Sequence, residues 1–178
     1  SAVIAIGSTV SPPSENRCGN DVIGLKYVKD ALELRERVRL VRREMSNGQR
    51  PVRVTVVGAG ITGVEWGAEL ACAGVDGVPV SVTIVGQEQR ILQELDERVA
   101  RKVARILSEH RIRLVLGRTA SRLEHGGVLL DDGTRLESDI AVWAGGARPH
   151  PLLASLGLPL TVRGAIAVTP RLEVRGHD

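Results

Sequence analysis

Apolar residues along the chain follow two periods. Short runs rich in Val and Ile predict strands: SAVIAIGS at the start, VRVTVV from Val52, VPVSVTIV from Val78, IRLVLG from Ile112 and DIAVWAGG from Asp139. VRVTVV has the unbroken apolar character of a strand buried on both faces, as in a parallel sheet. Between these runs the period lengthens to that of a helix. From Tyr27 to Met45, residues Val28, Ala31, Leu32, Leu34, Val38, Val41 and Met45 recur at helical spacing and predict one amphipathic helix ending near SNGQ. A second helix is expected from Thr62 onward. A third, capped by Asp96, should turn Val99, Val103, Ile106 and Leu107 toward the core. GVLLDDGTRLES reads as a hairpin about Asp132 and Gly133, and SPPSENRCGND as a loop. Strand, helix and strand from Val52 to Val85 make a βαβ unit with a right-handed crossover, so the fold class is α/β with a central parallel sheet.

Gly58, Gly60 and Gly63 fall between the Val52 strand and the following helix, in VRVTVVGAGITGVEWGAEL. That is where a dinucleotide fingerprint belongs. Gly58 would turn the chain sharply out of the strand, Gly60 would let main chain approach a diphosphate, and Gly63 would bring the helix close to the sheet. Gly67 extends the small face one turn on. The first helical amides have no partners of their own and carry the positive end of the helix dipole, which suits a phosphate. The alternative is a tight turn needed for packing alone.

Composition narrows the function classes. The chain has 178 residues, 43% hydrophobic and 25% charged, enough for one substantial core. A net charge of +3, with bases and acids interleaved as in LELRERVRLVRREM, describes solvated helix faces and argues against a nucleic-acid track. No apolar run nears the ~20 residues of a transmembrane segment, and no signal peptide opens the chain, so a soluble cytoplasmic protein is expected. Cys18 and Cys72 form no CxxC or CxxxxC pair; Cys72 reads as a small buried helix residue and Cys18 as a loop thiol. His110, His125, His150 and His177 show no HxxxH spacing, so no metal site is expected.

Several segments in order, VVGAGITGVEWGAEL, VTIVGQEQRILQELDERVARKV and DDGTRLESDIAVWAGGARPHPLLASLGLPL, resemble the NAD(P)H-binding domain of the two-dinucleotide flavoprotein oxidoreductases. The ITGVE helix start and the preceding helix LKYVKDALELRERV look most like type II NADH dehydrogenases. The resemblance covers the whole chain. It implies a Rossmann-like FAD/NAD(P)-binding fold of three layers (ββα), with a central parallel sheet and a small antiparallel β meander. It also implies the organisation. Residues 1–10 correspond to an FAD-domain strand, 11–50 to a connecting loop and helix, 51–150 to the NAD(P)H-binding domain and 151–178 to a segment returning to the FAD domain. On this reading the chain is a fragment that binds NAD(H) or NADP(H), leaves FAD to the full-length protein, and is inactive alone. Its partners would be the nicotinamide dinucleotide, the FAD domain and a second copy paired through the unpartnered edge of the opening strand. The full-length enzyme would sit in the cytoplasm, peripheral to the inner membrane.

Roles follow residue by residue from the same resemblance. Gly58, Gly60, Ile61, Thr62 and Gly63 meet the diphosphate, Gly146 and Ala147 line the nicotinamide side, and Glu65 matches the family glutamate beside nicotinamide and flavin, the catalytic candidate. Otherwise Glu65 is an exposed acid favoured by the dipole of the first helical turn. Arg148 and Pro149 match the turn out of the last strand, where His150 replaces a usual Asn. An acidic residue after the second strand normally takes the ribose 2′-hydroxyl. Here that position is Gly86, so either Glu88 reaches the ribose or Arg90 reaches a 2′-phosphate; NAD(H) is favoured. The other functions open at this point are a stand-alone dinucleotide-binding or redox-sensing module and the NAD domain of a disulfide or nitrite reductase relative.

Overall fold

The computed structural model describes residues 2–10, 22–45, 50–124 and 126–176. In chain order the elements are β1 (Ser8–Val10), β2 (Val22–Gly24), α1 (Val28–Glu44), β3 (Val52–Val57), α2 (Ile61–Ala73), β4 (Val80–Gly86), α3 (Glu97–Glu109), β5 (Arg113–Leu116), β6 (Ala120–Glu124), β7 (Gly127–Leu130), β8 (Arg135–Glu137), β9 (Ile140–Trp143) and β10 (Ala147–Pro149). A 3-10 helix spans Pro151–Leu156. The chain divides into two compact units, Pro12–Gly146 and Ser1–Ser11 with Ala147–Asp178.

Pro12–Gly146 carries a five-stranded sheet in the order β2-β9-β3-β4-β5, every pair parallel. Strand alternation gives it two apolar faces. Val54, Val56, Val82 and Ile84 point to one, where Leu34 and Val38 of α1, Leu70 of α2 and Leu107 of α3 cover them. Val57 and Val85 point to the other and meet Leu123, Val128, Leu130 and Leu136 of the antiparallel β6-β7-β8 meander. Helices, parallel sheet and meander are thus the three layers. A polar clip joins the start of β3 to the start of β9: Arg50 and Arg53 both grip Asp139, at 2.6 and 2.9 Å, and Arg53 also pairs with Glu137.

Most elements lie where the apolar periods place them, and Asp96 caps α3 by accepting from the Arg98 amide at 2.8 Å. Four readings differ. Residues 2–7 form no strand; with no neighbouring ladder to pair with, Val3 is 94% exposed, and the extended pairing is at β1 instead. The buried line of α3 is Ala100, Val103, Ala104 and Leu107, which leaves Val99 and Ile106, each one residue ahead of it, 46% and 41% exposed. On α1, Val28 and Leu32 face away from the Leu34–Val38 ridge, while Asp30 is buried and accepts from the amides of Lys26 and Tyr27. The meander has a third strand, β6, whose alternation of polar with apolar residues gave only a weak apolar signal. The 11–21 loop and the SNGQ turn lie outside the described residues.

In the other unit β1 pairs antiparallel with β10, Ser8 opposite Pro149. Two isolated bridges, Leu160 with Ile166 and Val168 with Val174, organise the remainder.

Candidate functional site

The turn from β3 to α2 lies at the C-terminal edge of the parallel sheet, the usual place for a ligand in open α/β sheets. Two of its glycines are required by the protein itself. Gly58 has φ of 124°, and a Cβ there would stand 2.5 Å from the Ala144 carbonyl. A Cβ on Gly63 would stand 1.9 Å from the Gly58 oxygen. Gly60 is different. Its φ of −77° suits any residue, and its Cβ would meet nothing nearer than a Glu94 carboxylate oxygen at 3.4 Å. Packing therefore asks nothing of Gly60. No side chain caps α2, and its first internal bond runs from the Val64 amide to the Gly60 carbonyl at 3.0 Å, so the preceding amides have no carbonyl one turn back.

These amides open on a cleft of about 630 Å³. Gly58, Gly60, Ile61, Thr62, Glu88 and Gly146, all singled out by sequence, line it together. Gly63 lies buried behind the turn. Glu65 is exposed on α2, is not among the lining residues, and comes after the first helical turn, which removes most of the dipole argument for it. Ala147 opens β10 in the other unit.

The model of the pyridine nucleotide-disulphide oxidoreductase family matches residues 1–178. The chain belongs to that family. Among family relatives, the NADH dehydrogenase-like protein YutJ of Bacillus subtilis is 26% identical over 135 residues, covering 76% of this chain and 37% of its own. The type II NADH:quinone oxidoreductase Ndh of Mycobacterium tuberculosis is 25% identical and covers 99% of this chain and 43% of its own. The chain thus spans about two-fifths of the length of these curated relatives. The solved structure of reduced Bacillus anthracis CoADR-RHD is 26% identical, with a TM-score of 0.72 over 94% of this chain and 29% of its own. The family's Rossmann-like α/β architecture and that of the chain are the same.

Other lining residues carried no recognisable sequence signal. Glu94, Arg118 and Trp143 reach the cleft from three loops or strand ends that only the tertiary fold assembles. The indole Nε1 of Trp143 is buried in the wall with no hydrogen-bond partner. Arg118 pairs through Nε with Asp132 at 2.8 Å. Asp132 is held below the ordinary carboxylate value, first by hydrogen bonds from Thr134 and then by the Arg118 charge. Arg90 is absorbed structurally: its guanidinium donates to the carbonyls of Leu92, Gln93 and Leu95 at 3.0, 2.7 and 3.0 Å.

Away from the cleft, Cys72 is exposed, its thiol 3.5 Å from His110 Nδ1, where the apolar pattern of EWGAELACAG suggested burial. Cys18, His125 and His177 lie outside the described residues. Among the described residues no group of three or more His, Cys, Asp or Glu is placed to hold a metal ion, and no helix is long and apolar enough to cross a membrane.

Proposed function

We propose that the chain is the NAD(P)H-binding domain of an FAD-dependent NAD(P)H dehydrogenase that delivers electrons to a quinone-like acceptor. The observation that carries this reading is Gly60. It is a glycine that the protein's own packing does not need, at the head of an uncapped helix, facing a cleft of dinucleotide size. A diphosphate there takes hydrogen bonds from free amides and the favourable end of the helix dipole. The orphaned Trp143 indole N–H in the same wall is a further donor fit for a polar ligand. The names of the relatives, NADH dehydrogenase-like protein and type II NADH:quinone oxidoreductase, support the redox class.

In this assignment Gly58, Gly60, Ile61 and Thr62 seat the diphosphate, while Gly63 sets the helix close enough for its amides to reach. Glu88 accepts from the adenosine ribose. Gly146 lines the nicotinamide end, and Glu65 is the acid placed beside the reacting rings. The bound nicotinamide supplies a hydride and the flavin takes it; the chain's part is to bind and orient.

Calorimetric titration with NADH tests the proposal. One saturable site per chain, competed by ADP-ribose, is expected. Absence of saturable binding at millimolar NADH overturns it.

A further inference from the structure

This inference rests on the dinucleotide reading of the cleft and concerns the end that would hold the adenosine ribose. Gly86 ends β4, and a Cβ built on it would lie 2.5 Å from the Cβ of Ala59. Ala59 is itself buried and tied down, its carbonyl accepting from the Leu92 amide at 2.9 Å. The strand end thus excludes a side chain of its own. Glu88 fills the gap: its Oε2 lies 3.3 Å from that missing Cβ, returning a carboxylate to the strand edge from two residues further on.

A second charge arrives from a different strand. The loop after β5 docks on the same edge by two main-chain bonds, Arg118 amide to Gly86 carbonyl at 3.0 Å and Gly117 amide to Glu88 carbonyl at 2.8 Å. These bonds hold Arg118 beside Glu88 in the lining of the cleft. Its Nε is anchored on Asp132, which does not line the cleft. Nη1 makes only a long contact of 3.4 Å to the Gly117 carbonyl, and Nη2 has no hydrogen bond among the described residues. Asp132 is fixed in turn by accepting from the Thr134 amide at 2.9 Å, so the guanidinium is oriented before any ligand binds. Arg90, the arginine nearest in sequence to this edge, is already spent on three carbonyls.

We propose that Arg118 is the specificity-determining residue at the ribose end, binding a 2′-phosphate with its free guanidinium edge so that the domain accepts NADPH as well as NADH. A phosphate matches the planar fork of arginine, and a donor held in place loses little entropy on binding. Glu88 acts in the opposite sense. Its carboxylate takes the 2′-hydroxyl of NADH and repels a 2′-phosphate.

Titrations of the parent chain, Arg118→Ala, Arg118→Lys and Glu88→Gln with NADH, NADPH, 5′-ADP and 2′,5′-ADP test this. Arg118→Ala should weaken NADPH and 2′,5′-ADP by roughly 10- to 100-fold, the worth of a charge-assisted bond, while NADH and 5′-ADP change less than about threefold. Arg118→Lys should recover part of the loss, and the salt dependence of NADPH binding should fall in Arg118→Ala alone. Glu88→Gln should tighten NADPH and weaken NADH. Equal weakening of all four ligands in Arg118→Ala, with Arg118→Lys no better, assigns the residue a structural role and overturns the inference. So does a parent chain that binds NADH but not NADPH. A parent chain that binds none of the four overturns the dinucleotide reading and this inference with it.

Discussion

Two alanine substitutions in one turn separate the reasons a strand-to-helix turn can hold glycine. At Gly63 a methyl group would stand 1.9 Å from the Gly58 oxygen and 3.0 Å from its carbon, both main chain. Reaching ordinary contact requires α2 or the turn to move by about 1.5 Å. The helix has no slack for this. One turn on, Gly67 already lies so close to β4 that a Cβ there would be 2.8 Å from Ile84 Cδ1, and Ile84 is fully buried. Gly63→Ala should therefore cost about 3 kcal/mol, the upper end for overpacking, and lower the melting temperature by roughly 6–12 °C for a domain of this size. At Gly60 the backbone is ordinary and the nearest atom is at contact distance. Gly60→Ala should leave the fold intact or stabilise it by roughly 0.4–1 kcal/mol through the unfolded chain, a rise of about 1–4 °C. Its methyl group nevertheless enters the space through which a diphosphate approaches the amides, so NADH affinity should drop about tenfold or more. Thermal unfolding by circular dichroism and calorimetric titration read the two effects separately. The reasoning fails if Gly63→Ala melts within 2 °C of the parent (about 0.5–1 kcal/mol), or if Gly60→Ala keeps the parent's NADH affinity.

The Arg50–Asp139–Arg53 clip carries a pH dependence. Burial alone would raise the Asp139 carboxyl, but hydrogen bonds from Arg50 and Arg53 outweigh it and hold the group far below the usual carboxylate range. Its folded pKa is the lower one, so the stabilisation is complete above the unfolded value of about 3.9 and is lost as pH falls below it. Urea midpoints measured down the acid limb should fall less steeply in Asp139→Asn, which should start roughly 1.5–3 kcal/mol less stable than the parent; an acid limb as steep as the parent's would show that the clip does not titrate. Trp143→Phe removes a buried N–H that has no partner. Such a group costs roughly 1–3 kcal/mol, so the variant should be as stable as the parent or more so, and a loss above about 2 kcal/mol by urea unfolding would mean that the indole is hydrogen-bonded.

Local rules account for what was readable along the chain. The β3–α2–β4 unit announces itself through Val-rich runs, a change of period and three glycines at the join, all within about forty residues and all governed by neighbours in sequence. The cap at Asp96 and the turn at Asp132 are short-range for the same reason: their side chains bond amides two residues on. The helix-facing side of α3 was harder. Val99 and Ile106 satisfy a helical period as well as Ala100 and Leu107 do, and only the position of the sheet chooses between the two lines.

The sequence by itself determined the α/β class, the glycine turn and the cleft-lining residues adjoining it, because backbone geometry and apolar period are local. Tertiary structure alone decided that Arg118 stands beside Glu88, that Trp143 closes the wall with an unpaired N–H, and that Cys72 meets His110 at the surface. Those pairings join residues between 30 and 38 positions apart or from different strand ends, and they arise from the order in which the strands assemble, which no local period encodes.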